Sequence, residues 1–268
     1  MTLIVSEVSR FGIAMAADSA ITEVYPQNSM LPSGARTPPT VRVGAQKIIP
    51  IHSIDAAISV WGFGTVGAGG RPDAMIPIDR YLEDFAKTVK PNSSLEEVGS
   101  QLAAMTNDRI SVGQIRGGFH LGGYTVQDGE RFPALYHIHT GHKAEGPHGP
   151  LTLHRDYPFE SRRDVDKWLR ELKSTTFWLR NGAIDAYVAF QTHLNDLMNH
   201  LRKEADFDCP YHSRFSSALE ARGQFLRLQI QTICEFYRLS NRLETIAMPI
   251  SWITISEKGI KHFEPVVI

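Results

Sequence analysis

The order of apolar segments predicts an α+β protein built as a four-layer αββα sandwich, two stacked antiparallel sheets with helices on both outer faces. Two observations carry this expectation. Hairpin patterns alternate with pairs of helix patterns along the chain: strands, two helices, strands, two helices, strands. Helix pairs inserted between antiparallel hairpins cover both faces of stacked sheets. The chain also shows no internal repeat and no shift in composition, so residues 1–268 read as a single domain with loop insertions at about 25–44 and 141–175. The Gly- and Pro-rich stretch 141–160 is the best boundary candidate, but strands on both sides of it are needed to complete the sheets.

The chain opens on the β-branched run Thr2–Ser9, followed by the turn Arg10-Phe11-Gly12 and a second apolar run, Ile13–Ala17, that ends at Asp18. Two such runs around a short glycine-containing turn form a β-hairpin. Tyr25–Gly44 holds four prolines and reads as a long loop. Gln46–Ile51 and Ala56–Trp61 form the next strand pair, and Pro50 confines its strand to an edge or an end. Pro72–Lys90 carries a helical stripe of Ile76, Tyr81, Leu82, Phe85 and Val89. Ser93-Ser-Leu-Glu96 reads as a capping box starting a second helix that runs to about Asp108. Residues 117–140 form two strands around Asp128-Gly129, and Asp164–Leu172 is a short amphipathic helix. Ala183–Lys203 and Ser213–Glu244 are long helical patterns separated at Pro210. Ile250–Ile255 and Ile260–Phe263 close the chain as a hairpin.

Composition excludes several classes. Apolar content of 42%, charged content of 21% and a net charge of −1 leave no basic footprint for nucleic acid. No apolar run is long enough for a membrane-spanning helix, and the N-terminus lacks a secretory pattern. Cys209 and Cys234 are the only cysteines and fit a reducing compartment, so the expected location is cytoplasmic.

The first hairpin also brings chemistry together. A turn near residues 10–11 places Thr2 opposite Asp18 or Ser19, where directly opposed Cβ atoms lie roughly 5 Å apart. The steps Thr2, Gly12, Ala16-Ala17-Asp18, then Lys47-Ile-Ile-Pro-Ile51 and Val60-Trp61-Gly62 resemble, in residue type and spacing, the start of proteasome β subunits and of the bacterial HslV peptidase. Gly117–Thr140 is similar to the middle hairpin of that family, Phe177–Tyr187 to the lead-in of its third helix and Ile246–Ile255 to its last strand. The resemblance implies an N-terminal-nucleophile (Ntn) hydrolase fold of the proteasome-subunit type and a threonine-type peptidase. Removal of Met1 would free the Thr2 amine, which takes the hydroxyl proton so that Thr2 forms an acyl-enzyme. Lys47 and Asp18 would support the nucleophile and the N–H of Gly62 the oxyanion. Asn181, in Arg180-Asn181-Gly182, stands where the family has the serine of a Gly-Ser-Gly. The acid and serine that precede the family's last strand fall on Leu243 and Ile246, with Asn241 and Glu244 as near neighbours, and its paired glycines on Ala247 and Met248. The resemblance further implies a homo-oligomer, in rings enclosing the sites, acting on peptides or unfolded protein, with an ATPase unfoldase as a possible partner.

The chemistry of these residue types supports the same reading. A threonine hydroxyl needs a base, and an α-amine of ordinary pKa near 8 serves at neutral pH. A neighbouring ammonium lowers that pKa by like-charge repulsion and stabilises charge on the threonine oxygen. Plainer readings stand beside it: Asp18 as a turn cap, Lys47 as a solvated strand-end lysine. Two other functions remain open, a small-molecule Ntn amidase and a catalytically silent structural or binding member of the fold. No cofactor is expected. His137, His139, His142, His148 and His154 cluster in sequence, and His137 and His139 share a strand face, but no acidic or cysteine partner has metal-ligand spacing, so they read as surface and loop residues.

Overall fold

A computed structural model describes residues 2–9, 11–23, 40–67, 75–110, 116–127, 129–141, 149–154, 164, 167, 176–182, 184–204, 219–239 and 246–263. The chain order is β1 (Leu3–Ser9), β2 (Gly12–Ala17), β3 (Ile21–Glu23), β4 (Thr40–Arg42), β5 (Ile48–Ile51), β6 (Ala56–Trp61), β7 (Thr65–Val66), β8 (Ile76–Pro77), α1 (Ile78–Thr88) and α2 (Leu95–Asn107). It continues with β9 (Gly118–Gln127), β10 (Glu130–His139), β11 (Thr152–His154), β12 (Thr176–Gly182), α3 (Ile184–Glu204), α4 (Leu219–Arg238), β13 (Ser251–Ser256) and β14 (Gly259–Phe263).

Two five-stranded sheets, ordered β12-β1-β2-β13-β14 and β11-β10-β9-β6-β5, stack face to face. Helices α1 and α2 cover the second sheet; α4 covers the first, with α3 packed on α4. This is the four-layer αββα sandwich read from the sequence. Strand β1 shows why its run is nearly continuously apolar. Ile4 and Val8 join the core that fills the space between the sheets, whereas Leu3 and Val5 pack with Tyr187, Leu226, Ile230 and Ile233 beneath the helices. Both faces are covered, so neither alternates with polar residues in the way a solvated sheet would.

Several boundaries differ from the sequence reading. The helix read from Pro72 begins at Ile78, because Ile76 and Pro77 pair with Thr65 and Val66 as a short ladder. A residue that precedes proline is biased to extended backbone, and Ile76 obeys that bias. The capping box is one residue later than read: the Ser94 hydroxyl accepts the Glu97 N–H and the Glu97 carboxylate accepts the Ser94 N–H. Ser93 and Glu96 have the same spacing, so the motif alone does not fix the register. Within the long loops, Thr40–Arg42 pairs with Ile21–Glu23, and Thr152–His154 pairs with the end of β10. The segment at 176–182 is a sheet-edge strand paired along the whole of β1 before α3 begins. Pro50 lies on β5, the edge of the second sheet, as its missing N–H requires. Most of the 25–44 and 141–175 loops, the helix expected at Asp164–Leu172 apart from Asp164 and Lys167, which are helical, and Met1, Cys209, Asn241, Leu243 and Glu244 lie outside the described residues.

Candidate active site

The site forms where three strand ends meet. Thr2 immediately precedes β1, Asp18 follows β2 and Lys47 precedes β5. The hairpin register, Ile4 opposite Ala17, carries Thr2 and Leu3 past Ser19 and Asp18 as the turn position predicted. Lys47 belongs to the other sheet, so the cluster exists only when the two sheets stack.

All three side chains are buried. The Thr2 hydroxyl donates to Asp18 Oδ1 at 3.0 Å. The Lys47 ammonium donates to Asp18 Oδ1 at 2.7 Å and also to Thr2 Oγ1. The Asp18 carboxylate is held from three further sides, by Leu3 N–H at 2.7 Å, Ala20 N–H at 2.9 Å and Ala247 N–H at 3.3 Å. A buried carboxylate accepting that many donors is held in one position. Burial lowers the pKa of Lys47, and the Asp18 carboxylate opposes that by attraction and by its hydrogen bond. The lysine is therefore held between two tendencies, with its nitrogen against the threonine oxygen.

The neighbours of the cluster are positioned by backbone. Gly182 has φ +105, and a Cβ there would lie 1.6 Å from the Thr2 carbonyl oxygen, so only glycine lets β12 close on Thr2. Ala247, at one of the positions read as departures, supplies its N–H to Asp18 and its carbonyl to the Ser19 N–H. Neither role depends on the side chain, so any residue with a backbone N–H could fill it. Ile246 is part of the apolar core beneath the helices. Gly62 turns the chain at the end of β6 with φ +78 and packs against Arg116 and Gly117; continuing the β5–β6 register sets it across from Ala45. That brings Gly62 to the same end of the second sheet as Lys47.

Asn181 is directed elsewhere. Its Oδ1 lies 2.6 Å from His120 Nε2, and His120 Nδ1 lies 2.8 Å from Ser6 Oγ. The carbonyl oxygen can only accept, so Nε2 carries the proton and Nδ1 accepts from Ser6. Burial pushes the His120 pKa down to about 4, against the smaller upward pull of Asn181, so the ring is neutral at physiological pH. This Ser6–His120–Asn181 link between the sheets was not read from the sequence; the available signal was a lone histidine within an otherwise apolar and glycine-rich strand. His137 faces both His120 and His154 across the sheet, and ring centroids run 5.2 Å from His120 to His137, 4.2 Å from His137 to His139 and 4.1 Å from His139 to His154. His137 and His139 are buried between the sheets, not on the surface as the sequence reading had them. His142 and His148 lie outside the described residues. Among the described residues no group of His, Cys, Asp and Glu has the geometry to hold a metal, and no helix is long and apolar enough to cross a membrane.

No family model matches the chain, and no curated protein matches it. Among solved structures, a Gly-1 mutant of Anbu from Hyphomicrobium sp. strain MC1 is 13% identical, with a TM-score of 0.48 over 98% of this chain and 85% of that one. The assignment to the proteasome β-subunit and HslV family is thereby corrected: no family model matches the chain, and a solved structure similar to it is an Anbu protein. The resemblance was drawn over most of the chain, but its specific part was a few positions within the first 62 residues, in a hairpin and the strand pair after it. Such a pattern constrains local geometry and leaves the rest of the chain unconstrained. What stands is the αββα fold and the clustering of Thr2, Asp18 and Lys47 at one end of it.

Proposed function

We propose that this chain is an Ntn hydrolase that cleaves amide bonds through an acyl-enzyme on Thr2, with peptides as the substrate class. The observation that supports this most is the buried contact of the Lys47 ammonium with both the Thr2 oxygen and the Asp18 carboxylate. A solvated strand-end lysine would not bear on a hydroxyl in this way, and burying it for stability alone is costly.

In this reading, removal of Met1 exposes the Thr2 α-amine. The amine takes the hydroxyl proton as Oγ1 attacks the substrate carbonyl. Lys47 stabilises charge on Oγ1, and the Gly62 N–H stabilises the tetrahedral oxyanion, a contact type whose loss costs roughly 10²–10³ in rate. The α-ammonium then protonates the departing amine, leaving an ester on Thr2. Water, deprotonated by the same amine, attacks the ester; the acid product leaves and the hydroxyl proton returns to Oγ1. Self-association belongs to the same proposal. Leu197 on α3 and Leu228, Phe236 and Leu239 on and after α4 are more than half exposed, an apolar surface that a second copy would cover.

The test is intact mass of the purified protein with and without a threonine-reactive epoxyketone. Loss of the Met1 mass and one adduct, abolished in Thr2→Ala, is the expected result. Retained Met1 with no adduct overturns the reading in favour of a catalytically silent member of the fold.

A further inference from the structure

We propose that His120 is a positioning residue for Thr2, acting through Asn181 and the end of strand β12. The inference rests on the Thr2 nucleophile proposed above.

Thr2 lies between two walls. On one side the hairpin holds it through Asp18, whose N–H also bonds the Leu3 carbonyl at 3.1 Å. On the other side lies Gly182, the last residue of β12, in contact with the Thr2 main chain. Among the described residues β12 is the edge strand of its sheet, held by a ladder to β1 alone. An edge strand's last residues fray unless something else ties them down. The tie is the adjacent residue: Asn181, only 6% exposed, bonds His120, which is 0% exposed and belongs to the opposite sheet. Ser6 on β1 completes the link: the Asn181 oxygen, which only accepts, puts the imidazole proton on Nε2, and the Ser6 hydroxyl donates to the Nδ1 left free of it. The second sheet, which already supplies Lys47, thus fixes the wall behind Thr2 as well as the ammonium in front of it.

The two amide replacements of histidine separate this role from general packing. In His120→Gln the side-chain amide occupies the Nε2 position and keeps a donor to Asn181. In His120→Asn it occupies the Nδ1 position, keeps Ser6 and leaves Asn181 without its partner. Both enter the same cavity with one polar group each. Epoxyketone labelling of Thr2 is followed against probe concentration, with folding verified by thermal unfolding. The limiting rate falls roughly 10- to 100-fold in His120→Asn, as expected for a small misplacement of a reacting group, while half-saturation stays unchanged. His120→Gln stays within about threefold of the parent, on the rule that a retained donor preserves position. Asn181→Ala, which cuts the link without touching His120, reproduces the loss.

Equal rates in the two His120 variants overturn the proposal, as does a parent-like rate in Asn181→Ala. Crystal structures of the variants decide the matter without activity: the Thr2 hydroxyl leaves hydrogen-bonding distance of Asp18 in His120→Asn and keeps it in His120→Gln, and an unmoved Thr2 in His120→Asn overturns the positioning role. If the parent protein takes no label, the nucleophile reading fails, and this crystallographic comparison still decides whether His120 positions Thr2.

Discussion

Among the described residues two ion pairs are buried, one where strand ends of the two sheets meet and one between the first sheet and its helix, and they differ in kind. Asp18 and Lys47 meet at the strand ends, with side chains 0% and 3% exposed. Glu7 and Arg222 meet between β1 and α4, at 7% and 6%. An arginine is always charged and offers a planar fork, suited to pinning a helix to a strand. Around it Tyr187 donates to Gln229 at 2.6 Å, and Arg180 stacks on Trp178 and Tyr187, so the pair sits in a polar seam within an apolar layer. A lysine is a point charge whose pKa shifts on burial, and Lys47 touches a hydroxyl as well as its carboxylate. Equal burial thus goes with different surroundings: the guanidinium pair joins a helix to a strand, and the ammonium pair bears on a hydroxyl, which in the proposed reaction is the nucleophile.

The largest expected effects separate them. Lys47→Ala lowers the Thr2 labelling rate by about 10³-fold, roughly 4 kcal/mol of barrier, because charge on Oγ1 loses its partner. Arg222→Ala leaves that rate within a few-fold but costs about 3–5 kcal/mol of stability, since Glu7 stays buried after losing the guanidinium it faces. Denaturant unfolding and epoxyketone labelling of both variants check the contrast. If Arg222→Ala also abolished labelling while folded, the division into a fixing pair and a reactive pair would be wrong.

Only one of these pairs was legible in the sequence. Asp18 and Lys47 sit where turn geometry and strand order leave few choices: a tight turn at Gly12 fixes which residue faces Thr2, and the next strand pair brings a lysine to the same end. Glu7 and Arg222 are 215 positions apart. Their contact depends on how α4 crosses the sheet, which no local pattern encodes. The same distinction explains the fold. Hairpins around Gly12, Gly129 and Gly259 were readable because turn chemistry is local, and helices because their stripes repeat. Strand β12 was missed because its residues, Thr176–Gly182, show no hairpin partner nearby; it pairs with β1 from the far side of the chain. Asn181 was assigned to the site from its place in the sequence, and its side chain turned to His120, a strand residue that sequence reading had not considered. The backbone donors from Ala20 and Ala247 to Asp18 were unreadable for a simpler reason: any residue can supply an N–H.

His120 sharpens the comparison as a buried polar group held without a counter-charge. Its pKa is about 4 in the fold against 6.5 when free, so the folded state binds fewer protons between these values. That contribution to stability is complete above pH 6.5 and is lost as pH falls toward 4, amounting to about 3 kcal/mol from the linkage of shift to free energy. His120→Gln has no such proton to bind. Denaturant midpoints measured from pH 7.5 to 4 should therefore fall less steeply in that variant than in the parent, and parallel curves would mean that His120 does not titrate in this way.

The smallest effect is expected at Arg42 and Asp79, an ion pair with side chains 36% and 16% exposed. Burial pushes the Asp79 carboxyl up, but the two Arg42 bonds, each 3.1 Å, together with the neighbouring backbone N–H, outweigh it and bring the pKa below its ordinary 3.8. Its stabilisation is present above that value and lost as pH falls through the lower folded pKa, a window more acidic than that of His120. Water reaches the guanidinium, so Arg42→Ala should cost about 1 kcal/mol or less at neutral pH, measured by denaturant unfolding. A loss as large as that of Arg222→Ala would place Arg42 among the fixing contacts. Near-zero loss, with an unshifted Asp79 titration in the carboxylate NMR signals, would show that exposure by itself decides what these pairs are worth. Burial, and not the number of hydrogen bonds, would then be what distinguishes Lys47 and Arg222 from the rest.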